Sequence, residues 1–340
     1  MTMHVRFLPF LSGLLALAGS LSPAAAAEPA AGKSAEVAIK ELAPLPAPVT
    51  SFGAASAGGA VYVFGGHLGS PHEYSAELQA TRLLRLDLAE SKAWETVAEG
   101  PRRTGLAMVA YEGRLYRIGG WEARNAGGEK WDLYSTPDFA RFDPATKQSQ
   151  DLAPLPRGRS SHDAAILGSR VYVVGGWELK GQGDGDWHDT ALVCDLADPQ
   201  PKWEAIAQPP FRRRALAVAA HGGKVYVLGG MSDSNEPTTA VDCYDPASNQ
   251  WSAIAPLPGE GADGFGMTAI GTTSGLYAST RSGAVYQLAG DRWVEVAQLK
   301  HPRLFHRFVA VDARRLVVVG GTSRAGKVAQ VELLELPGRE

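Results

Sequence analysis

Apolar and polar positions along the chain recur in one phrase, a short β-branched and aromatic run closed by two glycines. It reads Val61-Tyr62-Val63-Phe64-Gly65-Gly66, Leu115-Tyr116-Arg117-Ile118-Gly119-Gly120, Val171-Tyr172-Val173-Val174-Gly175-Gly176, Val225-Tyr226-Val227-Leu228-Gly229-Gly230 and Leu316-Val317-Val318-Val319-Gly320-Gly321. The first glycines of these pairs are 54, 56, 54 and then 91 positions apart, so one copy is degenerate, and Gly275-Leu276-Tyr277-Ala278-Ser279-Thr280 fills the gap. Six repeats result. Each reads as four strands. In the fourth, Arg214 to Ala220 is turned by His221-Gly222-Gly223 into Lys224 to Leu228, a run apolar enough to be buried on both faces. Thr239 to Tyr244 and Gln250 to Ile254 follow, separated by Asp245-Pro246 and ended by Pro256-Leu257-Pro258. The paired glycines allow positive φ and a close approach of the neighbouring sheet. Trp94, Trp203, Trp251 and Trp293 mark the fourth strand in four repeats, where they wedge between sheets.

Four-stranded units of this period, arranged radially, make an all-β six-bladed β-propeller. Tyr-x-x-Gly-Gly with a downstream Trp resembles the kelch family, over nearly the whole chain beyond the N-terminal segment. Such motifs specify architecture and leave function open. The last repeat has three strands, Arg307 to Val311, Arg315 to Val319 and Val328 to Leu334. Val37 to Leu42, followed by Ala43-Pro44-Leu45-Pro46, reads as its fourth, closing the ring with an N-terminal strand and covering an edge.

Composition narrows the class. The chain has 340 residues, 39 of them Gly and 22 Pro, more turn formers than a helical enzyme carries. A net charge of −3 does not suit a nucleic-acid partner. Residues 1–27 read as an export signal: Arg6, an apolar run from Phe7 to Leu21, and a small-x-small site at Ala25-Ala26-Ala27. That run is too short to span a bilayer, and no later segment is long enough. Residues 28–36 are a linker and 37–340 a single propeller, a monomer exported to the periplasm or the medium. Cys194 and Cys243 fall on equivalent outer strands of neighbouring blades, too far apart to bridge, and are expected free and buried.

Candidate chemistry gathers where the connection entering each first strand and the loop between second and third strands emerge on one face. The entering connections of four blades bring Arg102 and Arg103, Arg157 and Arg159, Arg212, Arg213 and Arg214, and Arg303 and Arg307 to that rim, with Arg102, Arg103, Arg157, Arg159, Arg212, Arg213 and Arg303 the ligand-binding candidates. Guanidinium groups there either form an electropositive mouth for a carboxylate, sulfate or phosphate, or tie blades together. The long loops 121–137 and 177–189 add Trp121, Trp177, Trp187, His188 and Asp189, and the indole faces suit sugar rings. Phe265 between two glycines either covers a ligand or plugs the channel. His162, Asp163, His188, Asp189 and His306 are the acid–base candidates, with burial between blades as the structural alternative. Asp184-x-Asp186-x-x-Asp189 lacks the spacing of a calcium loop, so no metal and no cofactor is expected. A copper radical site of the galactose oxidase kind is excluded by cysteines remote from the mouth.

The resulting expectation is an exported binding protein whose mouth takes an anionic or carbohydrate ligand. Similarity to exported N-acetylneuraminate epimerases implies a sugar mutarotase or epimerase as the alternative. A protein-interaction scaffold with an extracytoplasmic partner is the third reading.

Overall fold

A computed structural model describes residues 37–90 and 92–336; the proposed signal and linker lie outside them. The described residues hold six four-stranded antiparallel sheets, one three-stranded and three two-stranded sheets in the connections, two 3-10 turns, Ala76–Leu78 and Gly261–Gly264, and no α-helix. Blade 1 holds Gly53–Ala57, Ala60–Phe64, Arg82–Asp87 and Glu95–Glu99. Blade 2 holds Ala107–Tyr111, Arg114–Ile118, Phe139–Asp143 and Gln148–Asp151, and blade 3 holds Asp163–Leu167, Arg170–Val174, Ala191–Asp195 and Trp203–Ala205. Ala217–His221, Lys224–Leu228, Val241–Asp245 and Gln250–Ile254 form blade 4. Thr268–Gly271, Leu276–Ser279, Ala284–Ala289 and Arg292–Gln298 form blade 5. Arg307–Ala310, Arg315–Val319 and Val331–Glu335 belong to blade 6, and Ala38–Leu42 pairs with Val331–Glu335 as its outermost strand. First strands of successive blades touch in a closed circle, blade 6 against blade 1.

Packing follows from the alternation within each strand. Second strands are buried nearly throughout, and side chains of facing blades fuse into mixed clusters, such as Val61, Val63, Val317, Val319 and Val331 between blades 1 and 6. The paired glycines are required by both conformation and space. Gly119 has φ 58°, and a Cβ there would sit 2.3 Å from the Arg159 carbonyl of the next blade. The tryptophans of the fourth strands wedge between blades and donate to the strand exit of the preceding blade, Trp94 to Ala43 O and Trp251 to Ala207 O. Both cysteines are buried and free, and burial pushes the Cys194 thiol up to about 12.

The first strand of blade 4 starts later than the apolar pattern suggests, whereas that of blade 6 starts at Arg307 as expected. Blade 4 begins at Ala217, because Ala215 adopts φ 51° and kinks the chain; Arg213–Arg214 instead pairs with Met231–Ser232. Third strands are likewise shifted toward the C-terminus, Val241–Asp245 in blade 4 and Val331–Glu335 in blade 6. The two long loops are partly ordered as hairpins, Trp121–Ala123 with Leu133–Ser135 and Trp177–Glu178 with Asp186–Trp187.

Candidate functional site

Each entering connection ends in four residues with fixed duties. They are Val49-Thr50-Ser51-Phe52, Arg103-Thr104-Gly105-Leu106, Arg159-Ser160-Ser161-His162, Arg213-Arg214-Ala215-Leu216, Gly264-Phe265-Gly266-Met267 and Arg303-Leu304-Phe305-His306. The first residue is a clamp. Arg159 donates to Gly175 O (2.8 Å) and to both Thr190 oxygens, and Arg303 to Gly320 O, Gln330 O and the Glu332 carboxylate. Arg213 binds Gly229 O, Ala240 O and the Asp242 carboxylate, and Arg103 binds Asp138 and Glu122. These four arginines are therefore not in the mouth. Each is at most 7 % exposed and neutralises carbonyls and carboxylates that its own blade turns inward. Burial, with Arg157 nearby, pulls Arg159 down to about 9, since its oxygen partners carry no charge.

The third residue is a collar. Ser51, Gly105, Ser161, Ala215, Gly266 and Phe305 all have φ between 51° and 65°. Their backbones are chained from blade to blade by N–H donation, Gly105 to Ser51, Ser161 to Gly105, Ala215 to Ser161, Gly266 to Ala215 and Phe305 to Gly266, at 2.6 to 3.0 Å. The fourth residue is a wedge packed on the glycine pair of the preceding blade, as Leu106 packs on Gly65 and Leu216 on Gly175. His162 fills that position against Gly119. His162, and His306 at the same motif position, where blade 5 carries Ser279-Thr280 in place of the glycine pair, are thus wedge residues buried to 2 % or less, and burial holds both well below the ordinary imidazole range. His188 is buried with Nε2 2.9 Å from Gly158 O, and burial with Arg159 lowers it to about 4. Sequence reasoning placed these histidines among acid–base candidates; the wedge and the loop core claim them instead.

Further outward, Arg157 pairs with Glu178 (2.6 Å) and Asp186, and Arg212 lies 3.5 Å from Asp189 and 3.8 Å from Asp233. Arg102 is exposed outside the mouth. None of these three, nor Asp189, lines the central cavity.

That cavity, about 1130 Å³, stands on the collar. Ser51, Ser161, Ala215, Phe265 and Phe305 are at its floor, the last two in edge-to-face contact at 5.1 Å. Trp121 and Trp177 line the wall as expected, joined by Tyr74, Trp131 and Arg214. Arg214 occupies the second position of the four-residue motif, where other blades carry Thr50, Thr104, Ser160 and Leu304. Its guanidinium lies 4.2 Å over the Trp177 ring and 5.4 Å from that of Trp187, which brings Trp187 beside the mouth. Met231 Sδ lies 3.2 Å from Nη2, and no carboxylate lies within ion-pair distance among the described residues. Burial lowers its pKa and also raises that of Tyr74, whose ring stacks on Trp131 at 5.7 Å.

Sequence reasoning placed Arg214 in the rim connection but did not single it out, because it stands third in an Arg run whose neighbours point elsewhere. Aligning the six connections would have isolated it. The loop of blade 1 was missed as well. It contributes His67, whose Nε2 is 2.7 Å from Glu73 O, and Gly69, whose carbonyl accepts from Lys327 of blade 6.

Residues 54–274 match the KLHDC2/KLHL20/DRC7 Kelch-repeats domain. Beta-scruin of Limulus polyphemus is 27 % identical over 207 residues, 58 % of this chain and 21 % of that protein. Kelch-like protein 36 of Bos taurus is 26 % identical over 281 residues, 79 % of this chain and 40 % of that protein. The chain thus spans less than half the length of these relatives. The solved structure of YjhT superposes with a TM-score of 0.68 at 18 % identity, covering 85 % of this chain and 95 % of that one, which shows a shared fold.

Proposed function

The chain belongs to the kelch-repeat family, and from that premise we propose that it is an exported binding protein whose mouth takes an anionic carbohydrate. The observation that carries this reading is Arg214. A guanidinium held against Trp177, without a carboxylate partner, offers a fork of donors to a ligand carboxylate. Trp131, backed by Tyr74 and exposed on the wall, supplies a ring face for the C–H edges of a sugar. The cavity exceeds the ~300–1,000 Å³ of drug-sized pockets, so an acidic oligosaccharide fits as well as a monosaccharide. Export rests on residues 1–27, and a mature N-terminus at Glu28 in the secreted fraction is the expected finding. Binding without transformation is favoured because His162, His188 and His306 do not line the mouth; of the histidines that do, His67 is buried with Nε2 2.7 Å from Glu73 O.

A second reading, a protein partner, is favoured by Leu68 and Trp131. They are the large hydrophobic side chains most exposed among the described residues, and both line the mouth.

Thermal melting of residues 28–340 with glucuronate, N-acetylneuraminate and glucose, at low and high salt, separates the two. Stabilisation by the acidic sugars that weakens with salt supports the carbohydrate reading. Absence of any shift hands the mouth to a protein partner.

A further inference from the structure

The contact between blades 1 and 2 differs from the others in two linked places. Opposite the third strand, the fourth strands present Ile39, Trp94, Ser149, Trp203, Trp251 and Trp293 in equivalent register: Tyr244 faces Trp251, whereas Phe142 faces Ser149. Blade 2 is therefore the one without a large wedge. Its second strand carries the other change. Arg117 takes the position that is Val63, Val173, Val227, Ala278 and Val318 elsewhere.

These changes meet in one cavity. A space of about 220 Å³ between the two blades is lined by Phe64, Leu83, Met108, Leu115, Phe142 and Ser149, with Arg117 among them. The Arg117 guanidinium sits 5.4 Å from the Phe64 ring centroid, a cation–π contact. Its Nε is buried without a hydrogen-bond partner, and Asp138 and Asp151 act on it only from beyond ion-pair range. A strongly basic, half-buried group is thus held against an apolar wall with its Nε unpaired and no carboxylate within ion-pair distance among the described residues. Removing an indole from a packed blade contact leaves a slot of planar aromatic shape.

We infer that this slot is a second binding site, taking a planar aromatic carboxylate whose ring fills the place of the absent tryptophan and whose carboxylate meets Arg117. The site is separate from the mouth and independent of what the mouth binds. Arg141, engaged by Gln150, and the exposed Glu99 and Asp151 also line the cavity; the two carboxylates outweigh Arg141 and disfavour more than one negative charge on the ligand. A monocarboxylate is therefore the class expected.

Indole-3-acetate and its neutral counterpart 3-methylindole serve as probes in titrations followed by protein-observed NMR. The wild-type chain is expected to bind indole-3-acetate at least tenfold more tightly than 3-methylindole. Ser149→Trp should raise the melting temperature and weaken indole-3-acetate binding more than tenfold, while Arg117→Val should bring its affinity down to that of 3-methylindole. Arg214→Met, which alters the mouth, should change neither. Unaltered binding in Ser149→Trp, equal affinity of the two probes for wild type, or no binding at all would each overturn the proposal.

Discussion

Arg307, on the first strand of blade 6, reaches across the centre of the ring to Asp163 on the first strand of blade 3, Nη1 lying 2.9 Å from Oδ1. The same guanidinium donates to Phe52 O of the entry to blade 1 and Leu106 O of the entry to blade 2, and Asp163 accepts from Val218 N–H of blade 4. One buried ion pair therefore engages five blades at the wall of a narrow channel of about 260 Å³. Arg307→Met strands the carboxylate and should destabilise the ring by about 3–5 kcal/mol. Burial already raises the Asp163 pKa against the pull of Arg307. Without Arg307 it rises further, and a raised folded-state value makes the penalty grow as pH rises through it. Denaturation midpoints across pH should show the variant approaching wild type toward acid; a difference that widens toward acid contradicts this role.

Four buried histidines make the fold acid-sensitive. His67, His162, His188 and His306 have folded values below that of the unfolded chain, so stability is intact above ~6.5 and falls as pH drops toward the folded values, by about 1.4 kcal/mol per pH unit for each. Leu106 and Leu216 show that leucine fits the wedge. The double variant His162→Leu, His306→Leu should keep its fold and have a clearly shallower acid dependence, read as melting temperature between pH 7 and 5, with His67 and His188 carrying what remains. An unchanged slope would mean that the wedge histidines do not titrate on unfolding.

Arg303 and Glu332 are both fully buried, and Glu332 also accepts from Lys300 N–H at 2.7 Å. Arg303→Met alone should cost about 3–5 kcal/mol, and Glu332→Leu added to it should recover most of that loss. Arg157→Ala, at an exposed pair, should cost less than ~1 kcal/mol. Chemical denaturation of the three variants tests the division of arginines into clamps and rim.

The outermost strand Ala38–Leu42 contributes Ile39 and Leu42 to the clusters on either side of blade 6. A chain beginning at Pro44 leaves Val331–Glu335 as an open edge. Its melting temperature should fall by several degrees, with unfolding still cooperative. Retention of the full melting temperature would show that the strand is dispensable.

The architecture was legible because Tyr116, Gly119 and Gly120 and their counterparts are dictated by backbone and burial, which repeat with the blade. Strand pairing of Ala38–Leu42 was legible for the same reason, since a three-stranded last repeat needs a partner. The site was not, because an arginine's type says nothing of its direction. Arg213 and Arg214 are adjacent in sequence, yet the first turns into the blade and the second into the mouth, as the extended backbone and the left-handed Ala215 dictate. His162 resembles a proton carrier in sequence and replaces a leucine in space. Trp121 and Trp177 directly follow the glycines that aim them, and both line the cavity.

Calorimetric titration with an acidic sugar that stabilises the wild-type chain tests the central claim most directly, comparing wild type, Arg214→Met and Arg157→Ala. The expected result is a loss of affinity of at least tenfold in Arg214→Met, with its melting temperature within a few degrees of wild type and Arg157→Ala binding normally. Undiminished binding by Arg214→Met would contradict an anion site in the mouth.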